Sequence, residues 1–237
     1  MATEHRTVSR VVGILEVVAR ARAPVTLSRL ATELGAPKSS LHGLVGGLLH
    51  RGYLSESGSG YRLGAGAHAL LAPAGTTLPL LLGETCAEIA VRTGETVTVA
   101  TRVGVGSVVY VHTEPSAFEV CYRPRLRERR PLLPTSAGKL FLAHDDAPSG
   151  ALDLAYEDDR RRYLEEVDAI RETGMSFNRG ETVPDVGAVA VGVHEEDRLT
   201  AAVTVAGPLV RVEGRLEYFG RLALEVLAAD GFDRRAP

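Results

Sequence analysis

The chain has 237 residues, of which 45% are apolar and 24% charged, a balance that fits one large or two modest globular domains and excludes a disordered or fibrous chain. Its 27 basic and 30 acidic side chains nearly cancel, and no apolar run approaches the about 20 residues that cross a bilayer, so no membrane segment is expected. The first ten residues are polar and lack the apolar core of a secretory signal, which leads us to expect a cytoplasmic protein. Cys86 and Cys121 stand 35 positions apart without a Cys-x-x-Cys pattern and read as two ordinary buried thiols rather than a disulfide or a thiolate metal site.

The near-zero total hides an asymmetry. Residues 1–70 carry eight basic against four acidic side chains, net +4, and the remainder carries 19 against 26, net −7. A positive module joined to a negative one fits a nucleic-acid reader attached to a part that should not adhere to phosphate. From Ser9 to Ala21 the apolar residues Val11, Val12, Ile14, Leu15, Val17 and Val18 recur at three- and four-residue spacing, predicting an amphipathic helix that Pro24 stops. Thr26 then stands at an N-cap position, and Leu27, Leu30, Ala31 and Leu34 form the buried stripe of a second helix. Gly35 follows where a left-handed residue is needed, and Pro37 is expected at the first position of a third helix that runs to about Arg51.

Two short helices around a glycine-containing turn give a helix-turn-helix, whose second member lies in the DNA major groove. Gly52-Tyr53-Leu54-Ser55 and Tyr61-Arg62-Leu63-Gly64, flanking Ser57-Gly58-Ser59-Gly60, predict a hairpin behind it and so a winged helix. The string Arg10-Val11-Val12-Gly13-Ile14-Leu15, then Thr26-Leu27-Ser28-Arg29-Leu30-Ala31, Gly35-Ala36-Pro37-Lys38-Ser39-Ser40, Gly52-Tyr53-Leu54 and Tyr61-Arg62-Leu63-Gly64, resembles the DNA-binding domain of IclR-type bacterial transcriptional regulators. Pro134-Thr135-Ser136-Ala137-Gly138-Lys139 and the following Leu140-Phe141-Leu142-Ala143 resemble that family's effector-domain signature, as Ile170-Arg171-Glu172-Thr173-Gly174-Met175 with Glu181 resembles its next block. The resemblance covers nearly the whole chain. It implies an α+β protein in which a winged helix-turn-helix over 1–66 joins, through a linker over 67–83, a GAF-like effector-binding and oligomerisation domain over 84–237.

The residues themselves predict the elements of the second part. Gly66, Pro73, Gly75 and Pro79 argue against one uninterrupted helix over 65–82, where the resemblance implies a linker helix. Glu84 to Arg92 has helical spacing, and Thr96 to Arg102 with Ser107 to His112 predicts two strands turned at Gly104-Val105-Gly106. A helix is expected over Asp158 to Arg171 with Tyr163, Leu164, Val167 and Ile170 inward. A hairpin follows from Val186 to Val193 and Leu199 to Val205, and a closing helix from Glu213 to Ala229.

DNA reading requires cations for phosphates and short polar side chains near the start of the recognition helix. Ser39, Ser40 and His42 are therefore candidates for bases or phosphates and Lys38 for the backbone, with helix capping as the alternative role of the serines. Arg51, Arg62 with Tyr61 in the wing, and Arg6 and Arg10 ahead of the first helix complete the set. Where the family commonly has an Arg within this helix, this chain has Gly43, followed by Gly46 and Gly47, each costing about 1 kcal/mol of helix propensity relative to Ala. In the second part, Thr135 and Ser136 open a helix whose free amides suit a carboxylate. The resemblance puts a small-molecule pocket there, with Ser136 and Ala137 supplying amides and Asn178 and Ala188 opposite. The family can carry an acid and a Cys at those two positions, so their replacement implies a more apolar or larger effector. Asp185 is either a pocket acid or an exposed turn residue. The run Arg123, Arg125, Arg127, Arg129, Arg130 reads as a solvated face at strand spacing, or as a site for an anionic ligand or acidic partner.

Catalysis has little support. Gly138-Lys139 lacks the other positions of a phosphate loop, the seven histidines form no His-x-x-x-His pair, and no Gly-x-Ser-x-Gly elbow occurs. No metal or cofactor is expected. The reading is a dimeric or tetrameric regulator that binds a double-stranded operator under control of a small-molecule effector, either a carboxylate or a more apolar metabolite. A DNA-silent sensor or scaffold of the same fold is the alternative, and an enzyme using His112 or Asp185 a third.

Overall fold

The computed structural model describes residues 5–58, 60–64, 66–67, 82–146, 148–195 and 198–232. The chain divides into two compact units, Met1–Thr76 and Thr77–Pro237. The expected linker lies mostly outside the described residues.

In the first unit, α1 (Arg6–Arg20), α2 (Leu27–Glu33) and α3 (Lys38–His50) precede β1 (Leu54–Ser57) and β2 (Gly60–Leu63). Ile14, Val17, Leu30, Leu41 and Val45 form the core between the helices. The Thr26 hydroxyl accepts from the Arg29 amide at 3.2 Å, the expected cap, and Gly35 takes the left-handed φ of 56° that ends α2. Two expectations shift. Arg6 and Arg10 lie within α1 rather than ahead of it, since the helix begins three residues earlier than the apolar periodicity does. Pro37 is the N-cap of α3 and not its first helical residue, because its ψ of 140° is extended. The hairpin pairs Leu54 with Leu63 and Ser57 with Gly60, and Val25 adds a bridge to Tyr61 through two 2.9 Å backbone hydrogen bonds.

The three glycines of α3 have no packing reason. A Cβ on Gly43, Gly46 or Gly47 would meet nothing within 4 Å. Replacing all three by Ala is therefore expected to stabilise the first unit by about 2 kcal/mol through propensity and reduced unfolded-state entropy. Urea unfolding followed by helical circular dichroism checks this, and a loss of stability would contradict the open surroundings of these positions.

The second unit is a six-stranded antiparallel sheet with helices on both faces. Its elements are α4 (Gly83–Thr93), β3 (Thr96–Val103), β4 (Ser107–Glu114), β5 (Arg129–Pro131), α5 (Ser136–Ala143), α6 (Ser149–Leu152), α7 (Glu157–Thr173), β6 (Met175–Arg179), β7 (Val186–Glu195), β8 (Arg198–Pro208), α8 (Leu209–Val212) and α9 (Leu216–Ala229). The strand order is β5-β4-β3-β8-β7-β6. A 3-10 turn over Glu213–Arg215 starts the closing helix three residues later than its amphipathic pattern.

Strand alternation sends valines to one face and small residues to the other. Val97, Val99, Val191, Val203 and Val205 pack against Ile89 of α4 and Phe219 and Leu222 of α9. On the opposite face Ala100, Ala190 and Ala202 lie against α5, which is covered in turn by Tyr163, Val167 and Ile170 of α7. All eight residues of α5 are buried, a depth that larger side chains on these strands would not allow. Leu164, expected inward, is 56% exposed because it falls off the α7 stripe. Cys86 is buried as expected and burial pushes its thiol up to about 12, but Cys121 is only half-buried in the loop before β5. That loop also ends the expected arginine strand: only Arg129–Pro131 pairs with β4, and Arg127 adopts a φ of 61°.

Candidate functional sites

The first site is the outward face of α3 with the wing. Lys38, Ser39, Ser40 and His42 are all exposed, as are Arg51 just beyond α3 and Arg62 in β2. Neither Ser39 nor Ser40 caps the helix, since the N-cap is Pro37 and no side-chain cap bond forms. Gly43, Gly46 and Gly47 continue the same outward face, and α3 contains no acidic residue. The α3 face thus combines a cation, two hydroxyls, an imidazole and bare backbone without an acidic group, while the wing carries exposed Glu56 as well as Arg62. Arg6 is exposed at the start of α1 and Arg10 is partly covered within it. Tyr61 is placed differently from the cations: it packs against the core of the unit while its backbone ties the wing to Val25.

The second site forms at the start of α5. Thr135 is the N-cap, its hydroxyl accepting from the Gly138 amide at 3.0 Å and donating to the Leu132 carbonyl at 2.7 Å. The Leu133–Pro134 peptide is cis. Asn178 on β6 donates to the Pro134 carbonyl at 2.7 Å and to the Thr182 hydroxyl at 2.8 Å, joining the strand to the α5 entry and to the turn after β6. Ser176 donates to the Ser136 carbonyl. These bonds leave the Ser136 and Ala137 amides as the helix donors without an intrahelical partner.

A pocket with about 20 Å³ of free space, room for about one water, opens at this point. Thr135, Ser136, Asn178 and Ala188 line it, so four of the six residues expected there come together. Ala137 is fully buried behind them. Asp185 is on the exposed turn and not in the pocket wall; its carbonyl accepts from the Leu209 amide at 2.8 Å.

The sequence reading missed the far wall. Thr98 on β3 and Thr204 on β8 sit opposite each other in register and both line the pocket. They are 1% and 2% exposed, and neither hydroxyl has a hydrogen-bond partner, an arrangement that costs about 1–3 kcal/mol per group. Tyr110 and Tyr122 close this end. Burial, then the neighbouring Tyr122, pushes the Tyr110 phenol up to about 12 against the opposing pull of Arg130; burial also raises Tyr122. Both phenols are therefore neutral donors at physiological pH. Among the described residues no charged side chain lines the pocket.

Charge is held just behind the wall. Lys139 of α5 is 1% exposed, and its ammonium lies 2.6 Å from Glu181 and 2.8 Å from Glu166 while donating to the Phe177 carbonyl at 3.0 Å. This lysine, part of the signature string at the start of α5, ties α5 to α7, β6 and the turn. A second anchor is the fully buried Glu95, which accepts two hydrogen bonds from Arg211 at 2.6 and 2.8 Å. Among the described residues no group of His, Cys, Asp and Glu is arranged to hold a metal, and no helix is long and apolar enough to cross a membrane.

A winged helix-turn-helix followed by a separate sheet domain with a small polar pocket is the architecture of a one-component transcriptional regulator. Residues 7–58 match the IclR helix-turn-helix domain model and residues 81–229 match that of the bacterial transcriptional regulator IclR C-terminal domain, so the chain belongs to the IclR family of transcriptional regulators. A search of curated protein sequences finds no match. Among solved structures, a protein of Silicibacter sp. TM1040 assigned to the IclR transcriptional regulators is 23% identical, with 98% of each chain covered and a TM-score of 0.78. An IclR transcriptional regulator from Alicyclobacillus acidocaldarius is 20% identical over 96% of each chain, TM-score 0.76. An IclR homolog from Microbacterium hydrocarbonoxydans, crystallised with 4-hydroxybenzoate, is 22% identical over 94% of this chain and 98% of that one, TM-score 0.75. At these identities the likeness carries the fold.

Proposed function

We propose that this regulator binds an operator through α3 and the wing and that a small organic acid in the α5 pocket controls that binding. The observation that carries the effector half is the pocket itself: a helix N-terminus beside neutral hydroxyls and an amide, suited to a carboxylate without a dedicated cation. The ligand of the Microbacterium homolog, an aromatic acid, supports this ligand class. With only about 20 Å³ free, the pocket must enlarge to take such a molecule. The turn bearing Thr182 and Val183, both exposed, is the wall with least to displace. A ligand that binds only the enlarged state shifts the population toward it, which is the differential affinity that coupling to DNA requires.

In this reading residues 1–66 bind DNA, 67–83 link, and 84–237 bind the effector and oligomerise. Lys38, Arg51, Arg62, Arg6 and Arg10 hold phosphates, Ser39, Ser40 and His42 reach the groove, and Tyr61 positions the wing. Two-fold dimers or pairs of dimers read palindromic half-sites in the cytoplasm, and the protein catalyses no reaction.

The test is selective enrichment of random and genomic DNA on purified protein at two salt concentrations. A palindromic site is expected, with affinity falling by about 0.9 decades per decade of salt for each phosphate contact. Aromatic acids are then titrated against that site. Absence of enrichment from folded protein would instead favour the DNA-silent sensor, a reading to which the glycine-rich outward face of α3 lends some weight.

A further inference from the structure

Resting on the reading of this pocket as the effector site, we infer that the buried Lys139 is a positioning residue for its wall: its pairing with Glu181 holds the turn after β6 against the cavity, and an effector must separate the two to enter. The ammonium of Lys139 is almost wholly buried and has three partners, Glu181 at 2.6 Å, Glu166 of α7 at 2.8 Å and the Phe177 carbonyl of β6 at 3.0 Å. The last two are fixed on regular elements. Glu181 is not: it stands in the turn, directly before Thr182 and Val183, which line the pocket. Its other carboxylate oxygen accepts from the Arg179 amide at 3.3 Å, so this side chain joins the end of β6 to a charge carried by α5.

The other walls have little room to give. Thr98, Thr204, Ala188 and Ala206 belong to paired strands of the sheet, and Thr135 and Ser136 are held by the cap of α5 and the bond from Ser176. Space for a molecule larger than a water therefore comes from the turn, where Thr182 and Val183 are exposed. Moving these two residues outward carries Glu181 away from an ammonium that cannot follow, because Glu166 and the Phe177 carbonyl keep hold of it. The Asn178 amide also donates to Thr182, a neutral tie weaker than the ion pair. A buried cation separated from one of its counter-charges is destabilised, so the pair biases the pocket toward closure. The measured affinity of an effector is its affinity for the open pocket reduced by the fraction of molecules that are open, and weakening the pair raises that fraction.

The experiment compares the full-length protein with Glu181→Gln, which keeps the shape and removes the charge, and with Glu166→Gln, which takes a charge from the same ammonium but not from the turn. Two quantities are read: hydrogen exchange at the Gly180 and Val186 amides, whose acceptors are the Val186 and Val183 carbonyls across the turn, and calorimetric titration with benzoate and 4-hydroxybenzoate. Without ligand, Glu181→Gln is expected to speed exchange at these two amides about tenfold and leave the amides of β8 unchanged; it is then expected to bind the acids about tenfold more tightly. Glu166→Gln is expected to stay within about twofold of the parent in both readouts. A glutamate with a merely structural role would lower affinity when replaced, so the gain is the distinguishing sign. Unchanged exchange in Glu181→Gln, or acids that bind it no more tightly than the parent, overturns the role of Lys139 while leaving the pocket standing. If Glu181→Gln does not fold, Glu181→Asp, which draws the carboxylate back by one methylene, takes its place and the same outcomes decide. Failure of both acids to bind parent and variants overturns the effector reading, and the exchange result then decides the positioning of the turn by itself.

Discussion

Gly138→Ala is expected to destabilise the second unit by about 3 kcal/mol or more, lowering its melting transition by about 10 °C, and to abolish binding of organic acids. The added Cβ would lie 2.0 Å from the Leu132 carbonyl oxygen and 2.5 Å from the Leu132 Cα. Both are backbone atoms, so no side-chain rotation relieves the clash. The same carbonyl accepts from the Thr135 amide at 2.9 Å and from its hydroxyl at 2.7 Å, the contacts that set the entry of α5. Whichever side moves, the cap or the helix is displaced, and the Ser136 and Ala137 amides move with it. The alanines beneath α5 leave it close to the sheet, so it cannot settle deeper. Thermal unfolding and acid titration of the variant check both effects. An unchanged transition would show that α5 tolerates a shift and that Gly138 is not required for close approach. Gly46→Ala provides the contrast, since a Cβ there meets nothing and stabilisation is expected.

Much of this architecture was legible because local chemistry and global fold agree. Thr26, Gly35 and the Gly58 turn each carry a local signal for the conformation they adopt, and the Val/Ala alternation of β7 and β8 is written at period two. The pocket was legible only on the side whose residues adjoin a helix start: Thr135 and Ser136 announce a cap, and Asn178 and Ala188 came from family resemblance. Thr98 and Thr204 gave no such signal. A threonine in a strand is ordinary, and what distinguishes these two is their pairing across 106 positions of sequence with nothing to bond. Lys139 and Glu95 were hidden likewise, since a buried charge is recognised only by its distant partners. Asp185 shows the converse. Its sequence leaves a pocket acid and an exposed turn residue both open, and it stays on the exposed turn while Glu181, four residues earlier, turns in to Lys139.

Reversing charge at Lys38 and Arg62 together, Lys38→Glu with Arg62→Glu, is expected to weaken operator binding more than 100-fold and to reduce the salt slope by about 2. Lys38 begins α3 and Arg62 lies in the wing, and both are exposed. Neither forms an ion pair among the described residues, so their charges are available to phosphate. The substitution removes two attractions and installs two repulsions at the same phosphates, whereas exposed positions of this kind change stability by about 0.5 kcal/mol or less. Net charge alone must be separated from position. Arg161→Glu with Arg221→Glu alters the total equally, at residues 61% and 63% exposed in the second unit, where their partners are Asp158 and Glu217 of their own helices. Gel shifts at matched ionic strength should show the control pair close to the parent and the α3/wing pair without a specific complex. If both variants bind alike and remain folded, the α3/wing face is not the DNA-binding surface, and the bare glycines of α3 would then mark a helix that no longer reads a groove.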